Sequence, residues 1–392
     1  MKPDPLLAIL CEDRLLDCGG DLYSLNAFGT PYWQIYAEIF PNLAIVARVE
    51  QGARPAGGEP LATSQGLTLR PIPIFQGPLG LLRRLPVVLP ALRRALRGAD
   101  GYIVRWPGTL TLVALPFLLA SRKPIAVEVV GDSRAVFRSG VGGPASGLLA
   151  RLSLAGGRRL FAAAAAVTYV TRSHLQERYP AAPDAVTSAC TDVALSEADL
   201  VAGPRLAADM PHRPARLFFA GTMEQRYKGI DTLLAAVAIL KAEGRAVALR
   251  LAGTGRFEGS VQAQIAKLGL GDDVALLGQL GRAELLAEMD RCDLFVMPSR
   301  TEGLPRSIIE AMARAAPIVA SAVGGIPELL PADCLVAPED PRGLADKLSE
   351  CLASPESLAS MSERNLLEAR KYTDSETDPI RRSFYRAFRS LI

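Results

Sequence analysis

Histidine is nearly absent from this 392-residue chain, lysine is scarce, and no Asp-x-Asp pair occurs anywhere in it. The two histidines, His174 and His212, fall at a helix start and in a Pro- and Asp-rich stretch, so acid–base chemistry run by histidine is not expected. Without Asp-x-Asp the usual carboxylate clamp for a catalytic divalent ion is missing, and no metal or other cofactor is expected. Six cysteines, at 11, 18, 190, 292, 334 and 351, show neither metal-ligand spacing nor a disulfide framework, which makes a reduced, cytoplasmic compartment the default. A net charge of +3 is too small to argue for a nucleic-acid partner. No apolar run is long enough to span a bilayer: the best, 107–120, is short and carries Pro116, and reads as a buried crossover helix. Met1-Lys2-Pro3-Asp4-Pro5 has no charged region leading into an apolar core, so no signal peptide is expected.

What is present is alternation. Hydrophobic residues make up 49% and charged residues 22%, as in globular chains, and the length allows two domains, each with its own core. Short apolar, β-branched runs alternate with helical patterns. The strand candidates are 6–10, 43–47, 67–71, 101–105, 125–130, 167–170 and 185–188, then 215–219, 247–251, 273–277, 294–297, 318–321 and 334–336. Strand–helix alternation predicts parallel sheets with crossover helices. Residues 195–214 are rich in Pro, Asp and Gly without a steady period and read as a linker. The expected division is 1–204, 205–375 and a terminal helix, 376–392. Ile380, Phe384, Ala387, Phe388 and Leu391 at helical spacing give that helix an apolar stripe expected to cross back onto the first domain.

The most informative stretch is Glu302-Gly303-Leu304-Pro305-Arg306-Ser307-Ile308-Ile309-Glu310, which follows the run 294–297 and Pro298-Ser299-Arg300-Thr301. It predicts a strand, a tight loop and a helix starting near Pro305, a residue suited to a first turn because it lacks the N–H that would be unpaired there. Such a helix opens at the carboxyl edge of a sheet, where α/β folds bind ligands, and its free N–H groups suit a phosphate or a sugar hydroxyl. Glu310, about two turns in, could accept hydrogen bonds from a diol. Two acids on an ordinary surface helix would be the plain alternative, but other loops keep them company. Phe219-Ala220-Gly221-Thr222 ends a strand and Lys228-Gly229 precedes a helix, a lysine placed for a diphosphate. Ala252-Gly253-Thr254-Gly255 and Val323-Gly324-Gly325 are again glycine turns after strands. Four such turns on one sheet edge, at Gly221, Gly253, Gly303 and Gly324, suggest a nucleotide cleft.

With Gly19-Gly20 after the first strand, these elements in this order resemble the retaining glycosyltransferases of family 4, often labelled glycosyltransferase group 1. The Glu302/Glu310 pair with its Gly-Leu-Pro is the specific part. The resemblance implies an α/β, GT-B fold: two Rossmann-like domains with parallel sheets facing across a cleft. It implies a metal-independent hexosyl transfer from a nucleotide-diphosphate sugar to a glycan or lipid-linked glycan hydroxyl, in polysaccharide biosynthesis. Lys228 would hold the diphosphate, with Gly221, Thr222 and Gly253 lining the donor. Glu310 would take the ribose hydroxyls, Glu302 with the backbone of Gly303 and Leu304 the donor sugar, and Gly19 and Gly20 would add N–H groups from the first domain. The family's proposed chemistry is front-face substitution, in which the departing phosphate helps deprotonate the acceptor.

Two positions depart from the pattern. Thr222 stands where members commonly carry Arg, leaving Arg226 or Arg256 as replacements out of register. Asp132, in Val129-Val130-Gly131-Asp132-Ser133, stands in a loop that often carries His; it could orient or deprotonate an acceptor hydroxyl, or simply cap a helix or hold a turn. Residues 79–97 combine a leucine stripe with Arg83, Arg84, Arg93, Arg94 and Arg97, a basic amphipathic helix fit for the inner face of a membrane or for plain solvent, though Pro86 and Pro90 weaken the helix. Two rivals stay open: a nucleotide-sugar 2-epimerase on the same scaffold, and a non-catalytic nucleotide-sugar-binding partner.

Overall fold

The computed structural model describes residues 4–19, 21–24, 30–52, 67–75, 77–134 and 146–392. The chain divides into two compact units, one holding the described residues up to Cys190 together with Asp378–Ile392, the other Thr191–Thr377. The changeover falls before 195–214, because that stretch is held by the second unit. Val201 N–H donates to the Ala313 carbonyl at 3.1 Å, Leu195 C=O accepts from Asp374 N–H at 2.7 Å, and the Arg205 guanidinium donates to the carbonyls of Cys292, Met289 and Arg314.

The first unit is built on β1 (Leu6–Cys18), β2 (Asp21–Ser24), β3 (Asn42–Gln51), β4 (Leu67–Ile72), β5 (Gly101–Trp106), β6 (Ile125–Val129), β7 (Ala166–Tyr169) and β8 (Val186–Ala189). Its sheet runs β4-β3-β1-β5-β6-β7-β8, with β2 pairing antiparallel onto β1. The inner parallel strands β3, β1, β5, β6 and β7 are buried over most of their length, which is why they read as continuous apolar runs, while the edge strands β4 and β8 are partly exposed. Helix Thr109–Ser121 is the crossover expected around 107–120, and among the described residues no helix is long and apolar enough to cross a membrane. The terminal helix, Asp374–Arg389, lays Phe384, Tyr385 and Phe388 into the core of this unit against Tyr36 and Phe40. Beneath them Glu128 accepts from the hydroxyls of Tyr36 (2.6 Å) and Tyr385 (2.7 Å) and pairs with Arg105 (3.1 Å), so the buried carboxylate is matched on every side.

Helix Gly77–Leu96 runs unbroken through Pro86 and Pro90. Both prolines lie on its exposed face, four residues apart, so the carbonyls they leave unbonded, at Leu82 and Pro86, can be hydrated. Val88, Leu92 and Leu96 carry the buried face.

The second unit has β9 (Ala215–Ala220), β10 (Val247–Ala252), β11 (Val274–Gly278), β12 (Leu294–Met297), β13 (Ile318–Ser321) and β14 (Leu335–Val336), all parallel, in the order β11-β10-β9-β12-β13-β14. Strand order therefore reverses between β9 and β12. In doubly wound sheets ligands bind outside the carboxyl ends of the strands at that point.

Candidate active site at the switch point of the second sheet

The loops leaving β9 and β12 are knitted together by backbone. Gly229, at φ +69°, sits so close to Pro298 that a Cβ would lie 1.9 Å from the Pro298 carbonyl oxygen, and Arg300 N–H donates to the Tyr227 carbonyl at 2.7 Å. Only glycine fits there. The β13 loop locks on from the other side: Gly324, at φ +57°, would place a Cβ 2.0 Å from the Glu302 carbonyl oxygen, and Gly325 N–H donates to Gly303 C=O at 2.7 Å. Gly253, after β10, donates to Gly278 C=O at 2.8 Å, and Gly221 N–H reaches Ala252 C=O at 3.0 Å. Gly253, whose Cβ would lie 2.0 Å from the Gly221 carbonyl oxygen, and Gly324, two of the glycines expected to admit a ligand, thus admit the neighbouring loop.

This knitting brings Lys228 and Glu302 together across 74 residues of sequence. Lys228 Nζ donates to Glu302 Oε1 at 2.7 Å, with side-chain exposures of 12% and 8%. Ser299, fully buried, donates its hydroxyl to the same Oε1 at 2.6 Å. Burial pulls the Lys228 ammonium down, yet the Glu302 carboxylate and then Tyr227 outweigh it and hold the group above its ordinary value. Lys228 remains a cation. Leu304 is buried, and Pro305 serves as N-cap of helix Arg306–Ala313 without any side-chain cap. The helix begins one residue later than Pro305, so Glu310 lies just over one turn in rather than two.

Glu310 is held 3.5 Å from Arg282 Nη1, and Arg282 also pairs with Asp199 at 2.7 Å. Burial raises the Glu310 carboxyl above the ordinary carboxylate range, against the pull of Arg306 and Arg282 and with help from Asp199. Ser299, Arg282 and Arg306 were not singled out from sequence. Helical spacing alone would have offered Arg306, which stands four residues before Glu310 on the same face. Thr222 is exposed, its hydroxyl accepting from Glu224 N–H at 3.1 Å. Arg226 and Arg256 both stack on Phe257, 4.9 and 4.8 Å from the ring centroid, and Arg256 donates to the Glu224 carbonyl and to Gln225.

In the first unit Gly19, at φ +74°, opens the two-residue turn between Cys18 and Asp21, which pair across the β1–β2 hairpin. That turn conformation accounts for a glycine at this position. Gly20 lies outside the described residues. Asp132 is buried; its Oδ1 accepts from the Tyr179 hydroxyl at 2.7 Å and from Arg134 N–H two residues on at 2.9 Å, and its Oδ2 stands 4.0 Å from Arg178. These are bonds of the kind a turn-holding aspartate makes, one of the two roles that its sequence context left open. At this unit's own switch point, between β1 and β5, Glu12 accepts from Leu110 N–H (3.1 Å) and Thr111 N–H (2.9 Å) at the start of helix Thr109–Ser121. Among the described residues no group of three or more His, Cys, Asp and Glu is placed to hold a metal ion.

Residues 214–354 match the sequence family described as glycosyl transferases group 1. The chain is 24% identical over 355 residues to protein CapJ of Staphylococcus aureus, covering 90% of this chain and 86% of that one. It is 34% identical over 128 residues to the amylovoran biosynthesis glycosyltransferase AmsK of Erwinia amylovora, but spans only 31% of AmsK's length. Among solved structures it is similar to sucrose-phosphate synthase of Thermosynechococcus elongatus (TM-score 0.74, 19% identity, 99% and 100% of the two chains). It is also similar to HepE of Anabaena in complex with UDP and glucose (TM-score 0.64, 18% identity, 97% and 99%). At these identities the structures establish the fold, two parallel-sheet α/β units of the GT-B type.

Proposed function

We propose that this chain, whose residues 214–354 match the group 1 glycosyltransferases, transfers a sugar with retention from a nucleoside-diphosphate donor to a hydroxyl of a glycan or lipid-linked glycan during polysaccharide biosynthesis. One observation carries the reading: the Lys228–Glu302 ion pair stands at the strand-order reversal, beside an uncapped helix start and a carboxylate one turn in. Lys228 and the amides at that helix start would stabilise the departing diphosphate. Both bonds to Glu302 fall on Oε1, which leaves Oε2 as the oxygen offered to a donor-sugar hydroxyl beside the backbone of Gly303 and Leu304. Glu310 would take the ribose diol, and Gly221, Thr222 and Gly253 would line the donor. No side-chain nucleophile and no metal is invoked. HepE's complexes with UDP and UDP-glucose support a nucleotide-sugar donor, and AmsK's role in amylovoran biosynthesis supports the polysaccharide setting. We extend the proposal to a peripheral contact of helix Gly77–Leu96 with the inner face of a membrane, where a lipid-linked acceptor would lie. Leu82 and Val87 are 64% and 59% exposed beside Arg83 and Arg84.

The test is a panel of UDP-, GDP- and ADP-sugars. A true donor at ~100 times its Kd raises stability by ~2.7 kcal/mol and so shifts the melting temperature. That donor should be turned over slowly to free sugar and nucleoside diphosphate without acceptor, and Lys228→Ala and Glu302→Ala should each abolish this. A panel in which nothing stabilises the protein, or turnover that survives both substitutions, would defeat the proposal.

A further inference from the structure

Glu310 would take the ribose diol, yet a carboxylate on a helix samples several rotamers unless something holds it. Its side chain is 16% exposed and stands 3.5 Å from Arg282 Nη1, an ion-pair distance longer than a good hydrogen bond. The cation therefore steers the carboxylate and leaves its lone pairs open to hydroxyl donors. Arg282 is itself fixed from behind. Its Nη2 donates to Asp199 Oδ2 at 2.7 Å, and that oxygen also accepts from the Ser196 N–H and hydroxyl, both at 2.8 Å. The Asp199 carbonyl accepts from Arg314 Nη1 at 2.8 Å, and Arg314 grips Asp290 with two bonds of 2.7 Å. Asp199 is thus pinned through side chain and main chain alike.

We infer that Arg282, anchored by Asp199, is the positioning residue that aims Glu310 at the donor ribose. The inference rests on the nucleotide-sugar reading and names the residue that sets its preference for a ribose. Arg282 is the first residue of helix Arg282–Arg291, where the helix dipole favours acids and disfavours a cation. Its own helix is not stabilised by a positive charge there, whereas the two acids it faces, both from other elements, are. Half-exposed, so long a side chain would be loose without Asp199. One guanidinium meets the two carboxylates with different nitrogens, Nη2 for Asp199 and Nη1 for Glu310, which the single nitrogen of a lysine does less well. Burial raises the Glu310 carboxyl, and Asp199 adds to that rise, while Arg306 on the same helix and Arg282 oppose it. Without Arg282 the two acids would be left facing each other, and Glu310 would turn away or take up a proton.

Calorimetry on the full chain first finds which of UDP, GDP and ADP binds, then measures the 2′,3′-dideoxy form of that nucleotide, which lacks the diol. Wild type should prefer the ribonucleotide by at least about tenfold, the worth of a charged hydrogen bond. Arg282→Gln should bring the two within about threefold by weakening the ribonucleotide alone, as Glu310→Gln should, and the double variant should go no further. Asp199→Asn keeps an oxygen for Ser196 but gives up the charge that holds Arg282, and should fall between. Arg282→Gln with the wild-type preference intact overturns the inference and leaves the nucleotide-sugar reading standing; where that variant does not fold, an unchanged preference in Asp199→Asn does the same. Equal losses for both nucleotides also overturn it, since they would mark a residue that only shapes the loop. So does a wild type without the preference, or one whose preference survives Glu310→Gln. If wild-type protein binds no nucleoside diphosphate, the functional reading falls and this inference with it.

Discussion

Lys228→Met tests whether the ion pair at the switch point is a built feature of the fold or a surface contact. The lysine and its partner are 12% and 8% exposed, so removing the cation strands a carboxylate in a nearly dry place. Breaking a buried pair from one side costs about 3–5 kcal/mol. The Ser299 hydroxyl still donates to Glu302 Oε1 at 2.6 Å, which offsets part of that, and a net loss of about 2–3 kcal/mol is expected. For a unit of this size that lowers the melting temperature by roughly 4–12 °C. Lys228→Met with Glu302→Gln removes both charges and should sit within ~1 kcal/mol of wild type, because no buried charge is left unmatched. Calorimetric melting of wild type, both single variants and the double variant closes the cycle. Lys228 is held above its ordinary value, so its contribution is complete below the unfolded lysine's value, ~10.4, and fades only as pH climbs through the folded one. The cycle should therefore give the same coupling at pH 6 and pH 8. A single variant costing under ~0.5 kcal/mol, or a double variant costing the sum of the singles, would refute the reasoning.

Three further outcomes are expected. Glu310 is raised by burial, so the folded chain holds that proton more tightly than the unfolded chain, and stability falls as pH rises from the ordinary carboxylate value, ~4.3, through the folded one. Glu310→Gln should flatten that slope and melt no lower than wild type at pH 7 while donor affinity drops about tenfold or more; parallel pH–stability curves for the two proteins would contradict this. Asp132→Asn keeps an oxygen for Tyr179 and for Arg134 N–H, so stability should stay within ~1 kcal/mol and kcat within a few-fold, whereas a loss of about a hundredfold or more in kcat at unchanged donor KM would assign Asp132 to proton transfer instead. Sedimentation with phosphatidylglycerol vesicles should pull the protein down at low salt and release it at high salt. Each arginine near the surface is worth ~1 kcal/mol, so Arg83→Glu with Arg84→Glu should cut binding by more than about tenfold; indifference to vesicle charge would remove the membrane contact.

The strands were legible because parallel sheets covered on both faces leave short apolar runs with polar breaks. Where that condition lapses, the reading stops short. β1 continues past the run 6–10 through Glu12, Arg14 and Asp17 to Cys18, carrying charges no apolar criterion accepts, and β2, Asp21–Ser24, is a four-residue antiparallel strand with nothing to announce it. Pro86 and Pro90 argued against a helix that forms regardless, because a proline does little harm where the carbonyl it frees faces water. The changeover between units was displaced for a related reason. A stretch without periodicity looks like a free linker until its backbone groups are followed to their partners on another element.

For the site, residue types were readable and adjacency was not. Glycine says that something comes close to the backbone without saying what. At Gly229 and Gly324 it is the Pro298 and Glu302 carbonyls, and no ligand is needed to explain either. The consequence is chemical. Since the loops lock onto each other through main chain, the positions of Lys228 and Glu302 follow from the packing of β9, β12 and β13 and, on the proposed function, would need no ordering when a donor arrives. Charges fixed before substrate binds act on a departing phosphate without paying for reorganisation at the moment of transfer. Ser299 belongs to the same economy: by occupying Glu302 Oε1 from below it fixes the rotation of the carboxylate and hence the direction of Oε2. A serine at that position is invisible to pattern reading, because its role exists only once the lysine, 71 residues earlier, has been folded against the same oxygen.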